Sequence, residues 1–67
     1  MKDNLQPHEQ RVVAEMVELA EKTDKLRTFF DSEIFKGLSG ANQTLLIAQH
    51  GAMVAYHAIL QMRIELF

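Results

Sequence analysis

The chain has no cysteine and one proline, Pro7. Without cysteine there is no disulfide to brace a small fold, and a thiolate-rich zinc site is excluded as well. With proline confined to position 7, nothing breaks a helix between there and about Phe30. The later run from Thr44 to Phe67, 24 residues long, holds no proline and one glycine, Gly51. Catalytic patterns are missing too. Ser32 and Ser39 fall in turns, and no acidic residue stands at a spacing from a histidine that would suggest a proton relay. Gly37-Leu38-Ser39-Gly40 has neither the following lysine nor the preceding strand of a phosphate loop. No enzymatic activity, cofactor or metal is therefore expected.

Neither charge dominates: 7 basic and 9 acidic side chains leave a formal charge of -2, which does not favour a polyanion such as DNA. Met1 to Gln10 contain Lys2 and Asp3 and no apolar run, so no secretory signal is expected and the cytoplasm is the default location, the host's if the chain is phage-encoded. Ala41 to Met62 is apolar, but Asn42, Gln43, Gln49, His50, His57 and Gln61 interrupt it on nearly every turn, which argues against a lipid-facing span. Residues 1–67 make one domain, too short to hide much of its surface. Stability must come from helix packing and from a second copy of the chain.

What is present is helical periodicity. Met1 to Gln6 reads as a frayed leader, and Pro7 suits the first turn of a helix over about 7–30. Val12, Met16, Leu19, Thr23, Leu26 and Phe30 alternate steps of four and three, one seam on a helix, widened by Val13, Val17, Ala20 and Phe29. Glu15, Glu18, Glu21, Lys22, Asp24, Lys25 and Arg27 form the solvated side. The pairs Glu18–Lys22 and Glu21–Lys25, four apart in the favourable order, add about 0.2 to 0.5 kcal/mol each. Arg27, nearest the coming turn, is a candidate anion contact.

Asp31 or Ser32 can cap a short helical turn over about 32–37, closed by Gly37, with Ile34, Phe35 and Leu38 covering the end of the core. Ser39 can cap a second long helix over about 40–65, with Gly40 in its first turn. A connector this short returns the second helix antiparallel to the first, and at 1.5 Å per residue both run about 35 to 40 Å. The fold class is all-α, a helical hairpin with a helical turn in its connector.

Along the second helix, Leu46, Met53, Tyr56, Leu60, Ile64 and Phe67 recur at three, four and seven and are expected to face the first helix. A second stripe, Leu45, Ala48, Ala52, Ala55, Ile59 and Met62, is rotated from it and rich in small side chains. A helix apolar over so much of its circumference is normally enclosed, so this stripe is the expected oligomer interface of a four-helix bundle or a larger closed assembly. Gly51 costs about 1 kcal/mol relative to alanine inside a helix, which close backbone packing or a ligand would explain and a chance exposed position would not require.

His50 and His57 are seven apart, two turns from each other, and lack HExxH spacing. Their ordinary reading is a polar side chain at a helix boundary, hydrogen-bonded or exposed. Tyr56 is expected to turn its ring to the core and its hydroxyl to a partner or water. The functional alternative is a groove between protomers in which Gln49, His50, Tyr56, His57 and Arg63 offer stacking and hydrogen bonds to a nucleotide-like ligand. Arg11 and Arg27 are further cationic candidates.

The run Arg11-Val12-Val13, the segment Glu18-Leu19-Ala20-Glu21-Lys22 with Lys25-Leu26, then Phe35-Lys36-Gly37-Leu38, Leu45-Leu46, Met53, Tyr56, Leu60 and Arg63-Ile64 resemble a group of small, mostly uncharacterised helical proteins of tailed bacteriophages and prophages. That likeness covers about four fifths of the chain, from Arg11 to Ile64. The segment Gln49-His50-Gly51-Ala52-Met53-Val54-Ala55-Tyr56-His57-Ala58-Ile59 also resembles a helix of the phage anti-CBASS proteins, sponges for cyclic oligonucleotides, in which glutamine, glycine and methionine precede an alanine-isoleucine pair. This resemblance implies a small helical oligomer with ligands held between protomers. The chain departs from that family in having His57 where an arginine precedes the alanine-isoleucine pair, and in lacking the aromatic and arginine-rich start of the first helix, Arg11 apart.

The leading expectation is a non-enzymatic phage-type accessory protein that binds a host or phage protein as a helical homo-oligomer, through apolar surface left after assembly. The alternative is an anti-defence sponge that sequesters cyclic oligonucleotides between protomers. DNA binding comes third, because it needs Arg11, Lys22, Lys25 and Arg27 gathered into a basic strip across Glu15, Glu18 and Glu21.

Overall fold

The computed structural model describes residues 4–67. Three helices follow in order: α1 over Pro7–Phe29, α2 over Glu33–Lys36 and α3 over Gly40–Glu65. The first three residues of the expected Met1–Gln6 leader lie outside the described residues.

Each helix starts where side-chain chemistry lets it. Pro7 occupies the first turn of α1, where its missing N–H is no loss, and the Gln6 N–H donates to Glu9 Oε1 at 2.8 Å. Of the two candidate caps before α2, Ser32 serves. Its hydroxyl donates to the Phe29 carbonyl at 2.6 Å, closing α1, and accepts from the Phe35 N–H at 3.1 Å, opening α2. Ser39 caps α3 by accepting from the Asn42 N–H at 3.2 Å, and Gly40 is the first residue of that helix. Gly37 closes α2 in a right-handed conformation, φ -83° and ψ -7°, with its N–H directed to the Glu33 and Ile34 carbonyls, so no left-handed residue is needed.

The connector is fastened to α3 by one side chain. Gln43 Nε2 lies 3.0 Å from the Phe35 carbonyl oxygen, 3.1 Å from that of Leu38 and 3.3 Å from that of Lys36. Lys36 ends α2 and Leu38 follows it, so neither carbonyl has an intrahelical partner, whereas the Phe35 carbonyl also accepts from the Leu38 N–H at 3.0 Å. A glutamine one turn into α3 supplies their donor and thereby sets where α3 begins relative to α2.

α1 then packs along α3 as a hairpin. The molecule is a rod of 48 × 15 × 14 Å with a radius of gyration of 15.2 Å, against roughly 11 Å for a compact domain of this length. Among the described residues three are buried: Leu60, fully, in the half of the seam towards the chain ends, Val12 near the start of α1 and Phe35 at the connector. Phe35 anchors a small aromatic cluster at the connector, 5.9 Å from the Phe29 ring and 5.0 Å from the Phe30 ring. Leu38 is half-buried there, but Ile34 is 71 % exposed. Ile34 and Phe35 are neighbours on a helical turn, about 100° apart, so only one of them can face the core.

On α1 the seam of Val12, Met16, Leu19, Thr23, Leu26 and Phe30 is buried or half-buried throughout. Thr23 is tolerated there because its hydroxyl donates back to the Leu19 carbonyl at 2.7 Å. On α3 the half-buried and buried positions are Gln43, Leu46, His50, Met53, His57, Leu60, Ile64 and Phe67, in strict steps of three and four. This corrects the expected seam: His50 and His57 belong to it and Tyr56 does not. The register continues through 50 and 57 whatever their polarity, and residue 56 is rotated about 100° out of line.

Replacing Gln43 with alanine is expected to lower unfolding stability by about 1–2 kcal/mol, because the Lys36 and Leu38 carbonyls lose the amide they share, while Phe35 keeps the Leu38 N–H at 3.0 Å. Gln43→Glu keeps the reach, removes both N–H donors and should cost at least as much. Urea denaturation followed by far-ultraviolet circular dichroism of both variants measures this.

Candidate functional site

With about 100° of rotation per residue, the surface of α3 divides into the seam, two flanks and an outer face. The outer face lies opposite α1 and carries Leu45, Ala48, Ala52, Ala55, Ile59, Met62 and Leu66, all exposed, Leu45 at 67 % and Leu66 at 86 %. The six residues expected at an oligomer interface all lie here, none of them covered by the chain's own α1. A contiguous apolar strip of this kind along a helix marks a binding surface more often than a solvated one.

One flank holds Gln49, Tyr56 and Arg63, each seven residues after the last and all exposed, with Tyr56 at 43 %. Gln49 Nε2 is 3.9 Å from Met53 Sδ, a weak local contact. The stripe is a line of amide, phenol and guanidinium groups beside the apolar outer face. It provides hydrogen bonding in both directions, a ring to stack on and a cation.

The histidines point elsewhere. His50 lies between the helices with its ring 5.5 Å from that of Phe30, edge to face. His57, two turns along the same seam, helps line a recess of about 140 Å³ between the helices together with Ala20, Thr23, Asp24 and Val54. Val54 lies on the flank opposite Tyr56, so the recess and the polar stripe face different sides of the rod. Among the described residues no group of three or more histidine, cysteine or acidic side chains is placed to hold a metal ion.

Arg11 and Arg27 are exposed on α1, 16 residues apart and hence about 24 Å along the axis. Gln49 and Arg63 are separated by about 21 Å along α3 on the same basis. One chain therefore does not gather the seven candidate ligand contacts into one pocket. Asp24, Thr23 and Val54 were not among those candidates. The signal that could have found Asp24 is its place on the line Val13, Val17, Ala20, Asp24, where a carboxylate follows three apolar residues at helical spacing.

No helix among the described residues is long and apolar enough to cross a membrane. A Cβ built at Gly51 meets no heavy atom within 4 Å, so nothing in the chain itself requires glycine there. Gly51→Ala is expected to stabilise the fold by up to about 1 kcal/mol through helix propensity alone. A higher melting temperature would bear this out, whereas a fall would mean that another backbone or a ligand approaches position 51 closely.

The Sequestin family model matches residues 6–66, about nine tenths of the chain. No curated protein and no solved structure matches it. The chain belongs to the Sequestin family.

Proposed function

We propose that this Sequestin-family chain sequesters cyclic oligonucleotide signals as a homo-oligomer, holding each ligand between protomers and leaving it chemically unchanged. The observation that carries the reading is the family match over residues 6–66. It favours the sponge over the expectation of generic protein binding, and it agrees with a non-enzymatic, all-helical accessory protein.

The geometry suggests how the work is divided. A second copy on the outer face of α3 would cover Leu45, Ala48, Ala52, Ala55, Ile59 and Met62, where the small side chains permit close helix approach. The stripe of Gln49, Tyr56 and Arg63 then borders the interface from both copies. A cyclic oligonucleotide presents flat bases around a ring of phosphodiesters. Tyr56 offers a stacking surface for a base, Arg63 a forked donor for a phosphate and Gln49 an amide for a base edge. Arg11 and Arg27 add cationic charge where a neighbouring protomer brings the ends of α1 close. His50 and His57 act from within the seam, where they shape the groove rather than carry the phosphates. With a net charge of -2, affinity has to come from these local contacts and not from the field of the whole molecule.

Light scattering with and without a panel of cyclic dinucleotides and trinucleotides, with melting temperatures of the same samples, tests the reading. An oligomer is expected, stabilised by about 2.7 kcal/mol when ligand stands at 100 times its dissociation constant. The ligand should be recovered intact after heat denaturation. Tyr56→Ala and Arg63→Ala should each weaken binding about tenfold, roughly 1.4 kcal/mol. Ala52→Glu should dissociate the assembly. A monomer indifferent to every ligand would sink the proposal, and an indifferent oligomer would return the outer face to a protein partner.

A further inference from the structure

We infer that the recess between α1 and α3 is a subsite for a guanine base, with Asp24 reading the base edge; the inference takes its ligand class from the sponge reading above. The recess is lined by Ala20, Thr23 and Asp24 from α1 and by Val54 and His57 from α3. At about 140 Å³ it is well below the roughly 300–1,000 Å³ of sites that enclose a whole small molecule. It therefore takes one ring system of a larger ligand.

The lining chemistry selects which ring. Ala20 and Val54 are apolar walls, and the half-buried imidazole of His57 offers a flat surface to a base. The Thr23 hydroxyl already donates its proton to the Leu19 carbonyl and is left with acceptor capacity. Asp24 is exposed, and its backbone carbonyl accepts from the Thr28 hydroxyl at 3.1 Å. The Lys36–Glu33 contact is the one ion pair among the described residues, so the Asp24 carboxylate has no ion-pair partner among them.

An ionised carboxylate only accepts hydrogen bonds. Guanine presents two adjacent donors on its pairing edge, N1–H and the exocyclic N2 amine, which a carboxylate receives in a bidentate pair. Adenine presents one amine beside an unprotonated ring nitrogen, and that lone pair would face the carboxylate. Phosphate is repelled outright. The base therefore enters with its sugar and phosphate outside, and Arg27, three residues and one turn from Asp24 on α1, is the nearest candidate for the phosphate.

The recess and the Gln49–Tyr56–Arg63 stripe lie on opposite flanks of α3. One chain cannot offer both to the same compact ligand, so a ligand using both has its guanine in the recess of one protomer and another base against the stripe of a second.

The test titrates the full chain with cyclic di-GMP, cyclic GMP–AMP and cyclic di-AMP by calorimetry, beside Asp24→Asn. Guanine-containing ligands should bind at least tenfold more tightly than cyclic di-AMP. Asp24→Asn should cut their affinity about tenfold, leave cyclic di-AMP unaffected and leave the melting temperature of the free protein unchanged. Guanosine monophosphate, which needs only the recess, is the second probe, read by NMR shifts of Ala20, Thr23, Val54 and His57 with adenosine monophosphate as control. If guanosine monophosphate perturbs these residues in wild type and not in Asp24→Asn while no cyclic oligonucleotide binds, the recess stands and the sponge reading falls. Equal affinities for all three cyclic dinucleotides, an Asp24→Asn loss shared by cyclic di-AMP, or no response to guanosine monophosphate would overturn the assignment.

Discussion

The seam between α1 and α3 closes the chain on itself, and it is about one side chain wide. Leu60 within it is fully buried, and Val12 and Phe35 are buried towards its two ends along a rod 48 Å long. Fully burying such a side chain contributes about 1.5–3 kcal/mol, and fixing the backbone costs about 1–2 kcal/mol for every residue ordered. A hairpin held by this seam has little to spare. Because α1 shields one side of α3, Leu45, Ile59, Met62 and Leu66 stay in water, and the apolar area that would make the fold secure is on the wrong side to be reached by the same chain. The constraint that makes the fold marginal is also what makes the outer face available.

Much of the architecture is legible because it rests on local chemistry. A proline that opens a helix, serines whose hydroxyls cap two more and a four-three alternation on α1 are readable one residue at a time, and they yield an all-α hairpin. The less legible features are those where register overrides residue type. Tyr56 is more apolar than His50 or His57, so composition draws it into the seam, yet the step of seven from Gln43 places 50, 57 and 64 there together. Ile34 loses to Phe35 for the same reason, since a single helical turn presents one of two neighbours to the core. Gln43 was invisible as a structural residue, because its partners are carbonyls of the connector and their convergence exists only once the chain has turned. The candidate site was legible as a set of residue types, not as a place. The seven residues divide between the seam, the Tyr56 flank and the two ends of α1.

The polar residues within the seam have a consequence for specificity. A purely apolar heptad seam can slide by seven residues and still bury comparable surface. Here Gln43 meets three connector carbonyls, His50 meets the Phe30 ring edge to face and Thr23 satisfies itself on its own helix. The first two contacts are specific to one register, in the way a polar residue inside a coiled coil selects one alignment. Sliding would strand the Gln43 amide and the carbonyls it serves. Some apolar burial is given up, and a single hairpin is selected in return. That rigidity is useful to a binding protein, because the stripe and the recess keep fixed positions on their two flanks.

A chain of this size cannot surround a cyclic oligonucleotide. Its recess of about 140 Å³ is too small to enclose one, and among the described residues no second layer of structure stands behind α3 to deepen it. On the proposed reading enclosure would come from between copies, so that one association would supply both the surface that binds ligand and the surface that completes the core. Folding, assembly and ligand capture are then linked equilibria: any ligand that prefers the assembled form draws protomers into it and stabilises each one's hairpin by the same free energy. A sponge of that kind would need no catalytic group to remove a signal. It needs many copies, a tight complex and a ligand that is more stable in the interface than in solution, and a thin rod with one apolar side and two differently functionalised flanks meets those terms with little sequence.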